Sequence, residues 1–165
     1  QSGGHILVDS ELGQGSTFKI YLPRTKESTD PVRGKLAPLP VTGGRETLLI
    51  IESDAVVCKM IAGILTADGY EIIACSGCST AAVEVKRIKS AIHLMIADPI
   101  AEDGDVAQLA RRLHRDQKGL RVLGIPNVAC EPIPGIPAKH QCQLPKPFAL
   151  SSLLYDVRSL LDATS

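Results

Sequence analysis

Two carboxylates and one amine stand at corresponding places in this chain. Glu52 closes the apolar run Thr47 to Ile51, Asp98 closes the run that starts at Ile92, and Lys146 follows Gln141 to Leu144. In open α/β sheets, ligand chemistry gathers just past the carboxyl ends of the strands. Two carboxylates brought together there need a cation to offset their repulsion. A hard divalent ion such as magnesium, octahedral and partly hydrated, suits them. A lysine beside them can neutralise an incoming phosphoryl oxygen as a point charge. An aspartate so placed can attack a phosphoryl group and become an aspartyl phosphate. Each residue alone has a plainer reading: an Asp that starts a turn before Pro99, a surface Glu, a loop Lys. Their shared placement favours a site.

A second candidate is Cys75-Ser76-Gly77-Cys78, which has the CxxC spacing of zinc and redox sites. No second CxxC or HxxxH accompanies it, although Cys130, His140 and Cys142 lie downstream. The pair therefore reads as two incidental thiols in a strand-to-helix loop. The odd total of five cysteines fits reduced thiols in a cytoplasmic setting better than a disulfide framework.

Composition narrows the classes further. The 165 residues carry 18 basic and 18 acidic side chains, so net charge leaves no electrostatic footprint for nucleic acid or an anionic membrane. No apolar stretch approaches the roughly 20 residues of a membrane helix, which argues against membrane contact. The chain starts with Gln and shows no secretory signal, and we expect a piece of a larger, bacterial protein whose parent is open to membrane anchoring.

The elements that must position these residues follow from periodicity. Residues 5 to 22 read as a β-hairpin. Phe18, Ile20 and Leu22 alternate with polar neighbours, Gly13-Gln14-Gly15 turns the chain, and Pro23 stops the second strand. One hairpin buries too little to be stable alone, so it should belong to a larger sheet. Residues 1–6, Ser10 to Phe18 and Tyr21-Leu22-Pro23 resemble the last segment of the ATP-binding domain of sensor histidine kinases. The boxes that hold nucleotide in that family lie upstream and are not in this sequence, so residues 1–24 are expected not to bind ATP. Residues 25–45, with Pro31, Pro38, Pro40 and a closing Gly43-Gly44, read as a linker.

From Glu46 strands and helices alternate. Strands are expected over 47–51, 70–75, 92–97, 120–125 and 141–144. Helical stripes run through Val56 to Leu65, stopped at Asp68-Gly69, then through 79–89, then after the cap Asp105, and finally through Leu153 to Leu161. Arg111, Arg112, Arg115 and Lys118 read as a solvated face. The pattern predicts an α/β fold, a flavodoxin-like, doubly wound, five-stranded parallel sheet. Pro126, Pro132, Pro134 and Pro137 should replace the fourth crossover helix with an irregular loop.

Over 46–162 the chain resembles the receiver domain of bacterial two-component response regulators. The resemblance rests on Leu48-Leu49-Ile50-Ile51-Glu52, the Leu94 to Asp98 strand and Leu144-Pro145-Lys146-Pro147-Phe148. A receiver behind a kinase ATP-binding segment looks like the end of a hybrid sensor histidine kinase. The resemblance implies that Asp98 accepts a phosphoryl group from a histidine, with Lys146 as the companion lysine and a cis Lys146-Pro147 bond. It also implies magnesium on Glu52, Asp98 and the backbone carbonyl of Ile100, and a histidine kinase core or histidine phosphotransfer domain as partner. A homodimer is left open.

The chain departs from that family at three positions. Ser53 replaces the second acid of the metal pair, with Asp54 one position out of register. Pro126 replaces the switch hydroxyl, and Gln143 the aromatic that moves with it. The loop from Asp98 to Gly104 is two residues short, and Pro99 biases Asp98 toward extended backbone. Magnesium is therefore expected to be weakly held or lost. Two readings stay open: a phosphorelay receiver, and a pseudo-receiver that docks and regulates without phosphate. A third, an aspartate-nucleophile phosphatase, needs a second Asp where Ile100 stands. A thiol redox module on Cys75 and Cys78 is a fourth.

Overall fold

The computed structural model describes residues 4–23, 43–88, 90–99, 103–117, 119–128 and 130–163. It divides into two units, Gln1–Ala37 and Pro38–Ser165. Most of the expected linker, 25–42, and the Ile100 carbonyl lie outside the described residues.

In the first unit, β1 (His5–Glu11) pairs antiparallel with β2 (Gly15–Tyr21). The turn closes through the Gln14 N–H, which donates to the Glu11 carbonyl at 3.0 Å. Gly13 and Gly15 take positive φ of 82° and 97°, where a side chain would be strained. Ile6 faces Ile20 and Val8 faces Phe18, and all four are more than half exposed.

The second unit is the expected parallel sheet. Its strands are β3 (Thr47–Ile51), β4 (Glu71–Cys75), β5 (Leu94–Ala97), β6 (Arg121–Gly124) and β7 (Gln141–Gln143), in the order β4-β3-β5-β6-β7. That is the flavodoxin-like order. The helices are α1 (Ala55–Ala67), α2 (Cys78–Arg87), α3 (Val106–Asp116) and α4 (Leu150–Asp162). Alternate residues of each central strand go to opposite faces. Leu49, Ile51 and Met95 pack with Ala81 of α2 and Leu109 and Leu113 of α3, while Leu48, Ile50 and Ile96 pack with Ile61 of α1 and Val157 of α4. Strands β3 and β5 are buried throughout, which is why they read as continuous apolar runs.

Local chemistry ends the helices where the sequence marks them. Asp54 accepts from the N–H groups of Val56 and Val57 and so caps α1; Asp105 accepts from Gln108 N and caps α3. Gly69, at φ 104°, stops α1. Between β6 and β7 the described chain holds only a 3-10 turn, Ala138–His140, as the prolines require. The Lys146-Pro147 bond is cis.

His140 in that turn should make the domain's stability depend on pH. The ring is 9% exposed, and neither nitrogen has a hydrogen-bond partner among the described residues. It lies tilted against the His114 ring at 5.5 Å. Burial, then the positive fields of Arg121 and Lys139 and the neighbouring His114, hold it below its ordinary 6.5. The unfolded chain therefore takes up this proton first, and stability should fall as pH drops below 6.5. Urea unfolding between pH 7.5 and 5.5 measures the slope, and it should flatten in His140→Gln.

Candidate functional site

The parallel sheet brings its carboxyl ends to one edge. Glu52 follows β3, Asp98 follows β5, Pro126 lies just past β6, and Lys146 lies just past β7. Backbone bonds fix each one. Glu52 N donates to Cys75 O at 3.1 Å, Asp98 N to Ile51 O at 3.2 Å, and Lys146 N to Pro126 O at 2.8 Å. The three chemical groups then meet. Lys146 Nζ donates to Glu52 Oε2 at 2.6 Å and to Asp98 Oδ2 at 3.0 Å. Glu52 Oε1 accepts from Asp54 N at 2.9 Å.

Glu52 is 3% and Asp98 9% exposed, so this is a covered, charged cluster. Burial opposes the charge on Lys146, but its bonds to Glu52 and Asp98 outweigh that and raise the amine above its usual 10.5. Among the described contacts a single amine is shared by two carboxylates, an arrangement that suits a cation or an incoming group that carries one.

The donors brought together at this edge are carboxylate oxygens, hard oxygen ligands that fit magnesium in kind. In number they are few, since among the described residues no three His, Cys, Asp or Glu side chains cluster to hold a metal. Asp54 does not fill the gap left by Ser53. Its side chain is committed to the α1 cap, whose N–H groups of Val57 and Val56 hold its carboxyl below the usual carboxylate range.

The other departures are occupied by structural roles. Pro126 is buried and offers only its carbonyl, to Lys146. The Gln143 side chain is spent on the β6–β7 loop: Nε2 donates to Cys130 O at 2.7 Å, and Oε1 accepts from Cys130 N at 3.1 Å. Gln141 repeats the device one pleat earlier. Its Oε1 accepts from Ile133 N at 2.8 Å, and its Nε2 donates to Ile136 O at 2.6 Å. Two glutamines of β7 therefore clamp the loop that stands where a crossover helix would be. The amide side chains at alternate positions of β7 were visible in the sequence, but nothing there showed which carbonyls the loop would present.

The thiols of the CxxC stretch are covered. Cys75 and Cys78 are buried and unpaired, and burial first, then nearby acids, raises both above the usual thiol value. Burial likewise pushes Cys142 up to about 11. Covered thiols held in the protonated form are poor nucleophiles, which weighs against the redox reading of the CxxC stretch. No helix among the described residues is long and apolar enough to cross a membrane.

Comparison with known proteins follows the same lines. No protein-family model matches the chain. The sensor kinase CckA of Brucella abortus (strain 2308) is 28% identical over 171 residues, covering 98% of this chain and 18% of that protein. The circadian input-output histidine kinase CikA of Synechococcus elongatus is 34% identical over 99 residues, 59% of this chain and 12% of that protein. The chain thus spans less than a fifth of the length of the curated relatives it matches. Among solved structures, the receiver domain from the hybrid histidine kinase CckA aligns with a TM-score of 0.59 at 23% identity, over 70% of this chain and 99% of that one. A response regulator receiver protein from Sinorhizobium medicae aligns with a TM-score of 0.62 at 23% identity, over 72% and 96%.

Proposed function

We propose that this receiver domain, of the kind carried by hybrid sensor histidine kinases, accepts a phosphoryl group on Asp98 and no longer reports it through the β6–β7 loop. The observation that carries the reading is the Lys146 amine, which bonds Glu52 and Asp98 at once although the three residues come from three separate strand ends. In the transfer, an Asp98 carboxylate oxygen attacks phosphorus and the bond to the donor histidine nitrogen breaks. The leaving imidazole keeps the electron pair and takes a proton from solvent. Lys146 balances charge as the phosphoryl oxygens arrive. Magnesium, held by Glu52 and Asp98 with the Ile100 carbonyl and water, would supply further charge neutralisation. With Ser53 in place of an acid, the ion is held weakly.

The partner is a histidine-bearing helix of a kinase core or phosphotransfer domain. Val56 and Met60, 77% and 49% exposed and two and six residues after Asp54, offer it apolar contact. Residues 1–24 are the closing hairpin of a kinase ATP-binding domain in this reading, since the match to the Brucella kinase runs over 98% of the chain. The apolar face of Ile6, Val8, Phe18 and Ile20 is then what that domain's sheet would cover. A donor that draws on ATP places the domain in the cytoplasm.

A second reading, docking without phosphate, is favoured by one observation: the clamp of Gln143 leaves its side chain no freedom to follow a switch. Incubation with a phosphorylated histidine kinase core separates the two. Label should pass to the chain and be lost in Asp98→Asn. Label absent from the wild type, or retained in the variant, overturns the acceptor reading.

A further inference from the structure

The arginine face of α3 is not simply solvated. Gln108, Arg111, Arg112 and Arg115 stand at i, i+3, i+4 and i+7, so they form one stripe along the helix. The Arg115 side chain is 77% exposed, but Arg111 and Arg112 are partly covered. The Arg111 stem lies beside Gly135 of the β6–β7 loop, where an added Cβ would stand 3.6 Å from Arg111 Cδ. The stripe borders an open groove of about 560 Å³ between α2 and α3. Cys78 and Ala82 of α2 and Leu109 of α3 supply its apolar floor, Cys78 and Leu109 being buried.

Charge in the groove is one-sided. Against three guanidinium groups it holds one carboxylate, Asp105, which caps α3 and lies 3.9 Å from Arg111. Arg115 is 3.8 Å from Asp116, and this pair is exposed on both sides, so it is worth little. Arg112 has no ion pair among the described residues. The start of α2 does not compete for an anion. Its Cys78 and Ser79 amides already donate to the Asp103 carboxylate, at 2.9 and 3.2 Å, which caps the helix.

A guanidinium fork takes a carboxylate through two parallel hydrogen bonds. The stripe spans seven residues, about 10 Å at 1.5 Å per residue, which is two turns of a facing helix. Small ligands sit in pockets that bury most of their surface, whereas polypeptide segments lie in open grooves. The chain's net charge of zero gives no long-range pull on a polyanion. We propose that the α2–α3 groove docks an acidic segment of a partner protein. The segment lays an apolar side chain on Ala82 and Leu109 and its carboxylates on Arg111, Arg112 and Arg115. Helices α2 and α3 cover one face of the sheet and α1 the other, so this surface is separate from that of Val56 and Met60. It does not rest on the phosphoryl reading.

The test pans random peptides displayed on phage against the whole chain and measures the enriched ones by fluorescence anisotropy. They should be acidic, with apolar residues between the acids, and should bind less tightly as salt rises. In NMR spectra they should shift the Ala82, Leu109 and Arg112 amides. Arg111→Gln, Arg112→Gln and Arg115→Gln combined should weaken them about tenfold. Should that variant fail to fold, Arg112→Glu replaces it with a loss expected in the same direction, since Arg112 has no ion pair to give up among the described residues. No enrichment, peptides of neutral or basic sequence, or equal affinity for chain and variant would overturn the proposal. So would inorganic pyrophosphate or a DNA oligonucleotide that binds the same arginines more tightly than the peptides do, which would make the groove a phosphate site.

Discussion

Replacing Lys146 with methionine should cost about 3 kcal/mol of unfolding free energy at neutral pH, the scale for removing one partner from a buried ionic cluster. The methionine keeps most of the apolar stem and removes the charge. Glu52 and Asp98, whose side chains are 3% and 13% exposed, would then face each other with no cation between them. In the wild type the lysine's own contribution depends on pH. Its value is raised above 10.5, so the contribution is complete below 10.5 and lost as pH rises through the folded value. Urea unfolding of both proteins at pH 7 and above pH 10.5 measures this, the difference shrinking at the higher pH. A difference that does not change between the two pH values would mean that Lys146 acts through packing alone.

Ser53→Asp should tighten magnesium binding about tenfold, or ~1.4 kcal/mol. The variant adds a carboxylate beside Glu52 without disturbing Asp54, which stays on the α1 cap. Without metal it should be less stable than the wild type, because a third negative charge then faces a single Lys146 amine. Calorimetric titration with magnesium gives the affinity, and thermal unfolding with and without the ion gives the crossover. Equal affinities would show that position 53 is not part of the cation site.

Much of this was legible in the sequence because it depends on local periodicity. Strands β3 and β5 are buried on both faces and read as unbroken apolar runs. Asp68-Gly69 and Asp105 mark helix ends by their own chemistry, and four prolines forbid a helix between β6 and β7. Glu52, Asp98 and Lys146 could be placed at one edge because parallel strands, joined by crossover helices, all end on the same side. What the sequence hid is tertiary. The Asp103 cap acts on a helix that starts 25 residues earlier, and a search for N-caps looks only at the residue before the helix. The clamps of Gln141 and Gln143 depend on the path of an irregular loop, which no periodicity describes. Asp54, one position out of register with the metal pair, caps α1.

If the proposed phosphoryl transfer holds, the same geometry limits how it is reported. A ligand shifts a conformational equilibrium only through contacts that differ between the two states. A phosphoryl group on Asp98 brings about −1.5 to −2 charges to the strand ends. Pro126 has no hydrogen to donate to it, and the Gln143 amide is already bonded to the Cys130 backbone.

The most direct measurement is an amide NMR titration of the chain with magnesium and then beryllofluoride, an aspartyl-phosphate mimic. Shifts should appear at Glu52, Asp98 and Lys146, while residues 130–143 and 150–162 stay where they were. No shift at Asp98, or large shifts spreading through the β6–β7 loop and α4, would contradict an acceptor site uncoupled from that loop.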